Sequence, residues 1–154
     1  MIMKLNLTVL TVVAAILFSC GGNAPAEEKT TTAAKVEENA APADPMSDKG
    51  IGPIKSVDIT ADVNTAMATE GEGIFNAKCT ACHKVGKRYI GPDLTGVTAR
   101  RTPEWIMNMI LNPEEMLAKN EIAKKLMAEY NAPMANQNLT EEEARKVLEY
   151  FRTL

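Results

Sequence analysis

Histidine occurs once in this chain of 154 residues, as His83, and cysteine only three times, as Cys20, Cys79 and Cys82. A single histidine excludes any metal centre that needs two imidazoles. Structural zinc takes four N or S ligands, and outside residues 79–83 the chain offers only Cys20, so zinc is short of ligands. Aromatic residues make up 5% of the sequence, which leaves a small domain with a marginal core unless something else fills its centre. The opening apolar run, Leu5 to Phe18, is broken by Asn6, Thr8 and Thr11 and falls short of the roughly 20 residues that cross a bilayer. Formal charge is −3; with neither a basic excess nor aromatic residues interleaved with basic ones, nucleic acid is removed as a partner.

Two of the three cysteines and the one histidine stand together, as Cys79-Thr80-Ala81-Cys82-His83. Thiols at i and i+3 fall on one side of a helical turn. From there they can form thioethers to two vinyl groups along one haem edge, and the adjacent imidazole reaches the iron. A zinc or dithiol-disulfide role for Cys79 and Cys82 does not require a histidine directly after the second thiol. One such motif limits the chain to one covalent haem. With no second histidine, the other axial ligand must be a different residue.

The run Gly71, Ile74, Phe75, Cys79 to His83, then Gly91-Pro92-Asp93-Leu94-Thr95-Gly96, resembles the class I c-type cytochromes over roughly residues 65 to 154. The resemblance implies an all-α class I cytochrome c fold, with helices wrapped around one covalently bound haem c, and an electron carrier rather than an enzyme. It implies that the Pro92 carbonyl accepts a hydrogen bond from the second ring nitrogen of His83, the usual way a metal-bound histidine is oriented. It also implies that Leu94 packs on the haem face, and that Trp105, first a core residue, donates its indole N–H to a haem propionate. Met107, Met109, Met116, Met127 and Met134 follow the motif. The first four sit in helical patterns, where methionine usually fills gaps. Met134 instead follows Ala132-Pro133 in a non-helical loop before the last helix, the place of the axial methionine in this family, although Ala135 stands where a proline often follows. Asn131, Asn136 and Asn138 are candidates to hydrogen-bond around its thioether.

The segment Met1 to Phe18, with Lys4 ahead of its apolar run, fits the h-region of an export signal. Leu17-Phe18-Ser19-Cys20-Gly21-Gly22 resembles a bacterial lipoprotein signal. That implies a lipid on Cys20 as the new N-terminus and a domain held on the periplasmic side of a membrane. Phe18 departs from the small residue usual there; cleavage nearby with release of a soluble product is the alternative. From Gly21 to about Asp48 the composition turns to Ala, Pro, Glu, Thr and Lys, too poor in large apolar side chains to offset its ordering entropy. The expected organisation is a signal over 1–19, the lipidated cysteine and a disordered tether over 20–63, and the haem domain over 64–154. Within the tether, Ile51, Ile54, Val57 and Ile59 alternate with polar residues, a pattern suited to an extended stretch lying across the folded domain.

The first helix is predicted from about Thr65 to Lys78, with Met67, Gly71, Ile74 and Phe75 on one face. Gly71 costs roughly 1 kcal/mol against alanine in a helix, and a close helix crossing would justify it. The last helix begins with a capping box, Thr140 and Glu143, and carries the stripe Ala144, Val147, Leu148 and Phe151. By resemblance these two helices cross, with Gly71 and Phe75 against the Tyr150-Phe151 end. Thr102-Pro103-Glu104 is a helix start. Asn112-Pro113-Glu114-Glu115 repeats it, opening a helix that continues, with a break near Asn120, to about Tyr130.

Removing residues 1–19 takes away one lysine and no acid, so −3 becomes −4. Against that acidic total, Lys78, Lys84, Lys87, Arg88, Arg100 and Arg101 crowd the haem-binding stretch. The expectation is a basic rim, centred on Lys78, Lys84, Lys87 and Arg88, that steers the protein onto acidic redox partners; an ordinary solvated loop surface is the alternative. The two resemblances together imply a membrane-anchored carrier of single electrons in a respiratory chain outside the cytoplasm. Resemblance allows delivery to a terminal oxidase or a nitrous oxide reductase. The other readings are a haem protein that binds a small ligand at a labile sixth position, and a fixed haem subunit.

Overall fold

The structure, a computed structural model, describes residues 44–154. The signal segment, Cys20 and the tether up to residue 43 lie outside the described residues. Five α-helices follow in order: α1 (Thr65–Lys78), α2 (Pro103–Leu111), α3 (Pro113–Lys119), α4 (Glu121–Tyr130) and α5 (Glu141–Phe151), with a short 3-10 turn at Val97–Ala99. Among the described residues there is no strand, only an isolated bridge between Lys84 and Lys87. The all-α class is as the sequence predicts.

Local chemistry sets the helix ends. Asn64, Thr102 and Asn120 cap α1, α2 and α4 by accepting the N–H of Met67, Trp105 and Ala123, which satisfies donors that have no partner inside the helix. Thr140 and Glu143 form the complete capping box of α5. Asn112 differs: its side chain caps nothing and instead donates to Glu115 and to the Ile51 carbonyl. Pro113, which lacks an N–H, suffices to start α3. Asn131 closes α4 in the left-handed conformation, φ 50°.

α1 and α5 form the principal crossing. The Phe75 ring lies 5.4 Å from Tyr150 and 5.8 Å edge-on from Phe151, centroid to centroid, within the range of favourable aromatic pairs. Gly71 meets α5 one turn earlier than expected. A Cβ there would run into the Lys146 carbonyl and lie 2.9 Å from the Val147 nitrogen, so the two backbones touch where a side chain would not fit.

Of the stretch counted with the tether up to residue 63, the part from Asp48 lies across the helices, as the alternation of Ile51, Ile54, Val57 and Ile59 predicts. From there to Val63 the chain is a strap bound to the helices. Ile54 enters the core, and Ile51, Val57 and Ile59 pack against it. Asn108, fully buried in the middle of α2, accepts the Ile54 N–H and donates to the carbonyls of Ile54 and Lys49, each at 2.9 Å. Arg152 donates to the Thr60 and Ala61 carbonyls at 2.7 and 3.2 Å, and Arg145 to that of Asp58 at 3.2 Å. Composition alone marks such a stretch as linker, but four alternating apolar side chains and backbone groups met by side chains from α2 and α5 order it.

Candidate haem site

α1 ends where the motif begins. The Cys79 N–H still donates to the Phe75 carbonyl, and the N–H groups of Cys82 and His83 both donate to the Cys79 carbonyl, at 3.1 and 2.9 Å. One turn therefore carries both thiols and the imidazole. Both cysteines are free thiols. Burial, reinforced by the neighbouring Cys82, pushes the Cys79 thiol up to about 11, so it stays protonated at neutral pH.

His83 is fixed by two adjacent residues of the following loop. Its Nδ1 lies 3.2 Å from the Pro92 carbonyl. A carbonyl only accepts, so the proton sits on Nδ1 and Nε2 keeps its lone pair. Burial lowers the imidazole's pKa more than that hydrogen bond raises it, and the neutral ring is favoured. Gly91 also packs on the ring: a Cβ there would stand 2.6 Å from Cε1 and 2.9 Å from Nδ1. The Gly91 N–H also donates to the Cys82 carbonyl at 2.8 Å. The glycine and the proline of the Gly91-to-Gly96 run thus act together, one by leaving room for the ring and one by orienting it.

This turn forms part of the wall of a cavity of about 570 Å³, closed by the ends of α1 and α5, the loop from His83 to Arg101, helices α2 to α4, and the loop Ala132–Leu139. Cys79, Cys82, His83, Pro92, Leu94, Trp105 and Met134 all line it. Phe75, Val97, Ile106, Ile110, Leu126 and Val147 make the remainder largely apolar, and the volume is that of a cofactor site. Of the five methionines, Met109, Met127 and Met134 reach the wall; Met107 and Met116 do not. Met107 is buried in the core. The Met116 sulfur, fully buried, accepts the Ile51 N–H of the strap at 3.0 Å.

Three expectations meet a different geometry. The indole N–H of Trp105 is not free to meet a propionate, because it donates to Asn120 Oδ1 at 3.2 Å inside the core. None of Asn131, Asn136 and Asn138 lines the cavity. Asn131 ends α4, Asn136 donates to the Leu111 carbonyl at 3.4 Å, and its Oδ1 accepts the Asn138 N–H at 2.8 Å, so these amides shape the loop that carries Met134. Arg88 is not an open charge of the rim: it pairs with Glu129 at 3.1 Å and stacks on Tyr130 at 4.1 Å. Asn108 escaped the sequence reading, and Asn120 was read only as a helix break; the available signal for Asn108 was one amide inside the apolar run Trp105 to Ile110.

The donor set fits a covalent haem. Two free thiols lie one turn apart, an imidazole has its outer nitrogen already engaged, and thioether sulfurs stand on the same apolar wall. Among the described residues every buried side-chain polar atom already has a partner within the protein, so the cavity asks for an apolar occupant. Fold and site together define a small all-α domain built around a cofactor cavity. The cytochrome c family model matches residues 68–154, more than half of the chain, and the chain belongs to the cytochrome c family. Its cofactor is one covalently bound haem c.

A cytochrome c from Rhodothermus marinus is 45% identical, with a TM-score of 0.65, over 66% of this chain and 88% of that one. The cytochrome c domain of a Pseudomonas putida protein is 37% identical, with a TM-score of 0.50, over 54% and 85%. A cytochrome c-553-like protein of Synechocystis is 36% identical over 62 residues; the match covers 32% of this chain and 59% of the relative's length. No helix among the described residues is long and apolar enough to cross a membrane.

Proposed function

We propose that the protein carries single electrons through a haem c held by thioethers from Cys79 and Cys82, with His83 and Met134 as axial ligands. The observation that carries this reading is the convergence, on one apolar wall, of both thiols, a His83 ring whose Nδ1 faces the Pro92 carbonyl, and Met134. When bound, the haem supplies a one-electron iron couple, with the methionine sulfur favouring the ferrous state and raising the potential. The chain does the rest. Pro92 holds the imidazole proton on Nδ1 and so directs Nε2 to the metal. Leu94, Trp105 and the apolar wall exclude water. Ala132-Pro133, bounded by the left-handed Asn131, set Met134 in its loop.

The partner is a redox protein with an acidic face. Val85, Tyr89 and Ile90 are 42 to 52% exposed in the loop that also holds Lys84 and Lys87, and Ile90 reaches the cavity wall. An apolar centre beside Lys87 and Lys84, whose ammonium also donates to the Thr80 carbonyl at 2.8 Å, suits a brief, electrostatically steered encounter. Export through residues 1–19 and a lipid on Cys20 place the domain on the periplasmic side of a membrane, in a respiratory chain that ends in an oxidase or a nitrous oxide reductase. The opening motif supports this anchor, and Cys20→Ser should release the protein from the membrane fraction.

The visible spectrum of the purified protein tests the haem reading. Low-spin c-type bands, with the long-wavelength iron–sulfur charge-transfer band in the ferric state, are expected. A high-spin spectrum, or rapid carbon monoxide binding to the ferrous protein, would replace the carrier by a haem protein with a labile sixth position.

A further inference from the structure

The strap reaches the cavity wall through one carboxylate. Asp48 Oδ1 accepts the Gly50 N–H at 2.7 Å, and Oδ2 accepts Asn120 Nδ2 at 2.7 Å. Asn120, 7% exposed, uses its Oδ1 twice, accepting the Ala123 N–H at 3.0 Å and the Trp105 indole N–H at 3.2 Å. The main chain makes a parallel link. The Asp48 carbonyl accepts the Thr102 hydroxyl at 2.6 Å, and the Thr102 oxygen accepts the Trp105 backbone N–H at 3.1 Å. Both N–H groups of Trp105 therefore lead back to Asp48 through one residue each. Trp105 lines the cavity, whereas Asp48, Asn120 and Thr102 stand behind it.

The orientation of Asn120 is forced. A carboxylate only accepts, so the amide NH₂ must face Asp48 and the amide oxygen must face the indole. Turned over, the amide would set oxygen against carboxylate and NH₂ against indole N–H, two repulsive contacts in a buried place.

We propose that Asp48 is a positioning residue of the haem cavity: acting through Asn120, it holds the indole N–H of Trp105 on the side away from the cavity, so that Trp105 presents its ring and not its N–H to the cofactor. This rests on the haem reading only for what fills the cavity. The relay is a property of the chain.

Trp105 is the only tryptophan, so the haem-loaded, ferrous, 15N-labelled protein gives a single indole N–H signal. In Asp48→Ala the amide is free to turn; the signal should move and its exchange with deuterium should quicken by about tenfold or more. Asn120→Asp alone sets two carboxylates together and should do the same. Combining Asp48→Asn with Asn120→Asp rebuilds every bond in mirror form. The amide introduced at position 48 donates to the carboxylate introduced at position 120, whose other oxygen accepts the indole, and its own oxygen still accepts the Gly50 N–H. The slow indole exchange should return in this double variant. A signal unmoved in Asp48→Ala, or no recovery in the swap, would overturn the proposal. If the single variants do not hold haem, the swap decides alone: a protected indole supports the relay and an unprotected or unfolded one overturns it. Absence of haem bands from the wild-type protein would instead count against the haem reading.

Discussion

Gly71 of α1 faces the carbonyl of Lys146 in α5 at a distance that leaves no room for a Cβ. Alanine is the better helix former by about 1 kcal/mol, so in an isolated helix Gly71→Ala would stabilise. Here the methyl must push two helices apart, and overpacking of this kind costs about 1–3 kcal/mol. Denaturant unfolding of the haem-loaded variant should show a lower midpoint with an unchanged slope; a midpoint equal to or above wild type would mean that the crossing is looser than described.

Met134→Ala removes the thioether assigned to the sixth position. Its midpoint potential should fall, and its ferrous form should take up carbon monoxide readily. Should the potential stay where it was, Met127 and Met109 are the remaining sulfurs on the wall, and Met116 is excluded by its bond to the Ile51 N–H.

Glu149 is fully buried yet accepts hydrogen bonds from Arg145, Arg152 and the Asn64 N–H. Burial alone would raise its pKa; the bonds from Arg145 and Asn64 and both guanidinium charges outweigh that and hold it below the usual 4.5. A carboxyl with a depressed native pKa contributes stability that is complete above about 4.5 and is lost as pH falls through the native value. Wild-type protein should therefore lose melting temperature on acidification below about pH 4.5. Glu149→Gln should be less stable at pH 7, by about 3 kcal/mol, with a flatter acid limb. Parallel limbs in the two proteins would remove Glu149 as the source.

Electron exchange with an acidic partner should slow as ionic strength rises, because exposed charges are screened beyond about 10 Å at 0.1 M salt. At low salt Lys87→Gln should slow it too, and more than Arg88→Gln does, since Arg88 is already paired with Glu129. Rates indifferent to salt would leave the apolar residues Val85, Tyr89 and Ile90 as the docking element.

Much of the molecule was legible because its signals are local. The bounds of α1, the capping box at Thr140, the helix starts at Thr102 and Pro113 and the break at Asn120 all follow from residues within four positions of each other. The turn bearing Cys79, Cys82 and His83 is local too. What stayed hidden depends on partners far along the chain. Trp105 and Asn120 are fifteen residues apart, Asn108 and Ile54 fifty-four, Arg88 and Glu129 forty-one. Periodicity states that a side chain is buried or exposed, but not which distant polar group satisfies it. The strap shows the same limit: its alternation marks Ile51 to Ile59 as lying across the domain, but not which side chains, some fifty to ninety residues later, answer its backbone.

Arg152, two residues from the end of the chain, holds the carbonyls of Thr60 and Ala61, and α5 completes the crossing with α1. Contacts that join the two ends of a domain cannot form until its last residues exist, and their long loop must be closed before they contribute. The strap can settle on α2 first, through Asn108 and Ile54, whereas α1 finds its main helix partner only in α5. Until α5 docks, the cavity wall lacks Val147 and Phe151, and Cys79 and Cys82 should stay within reach of the group they are to hold.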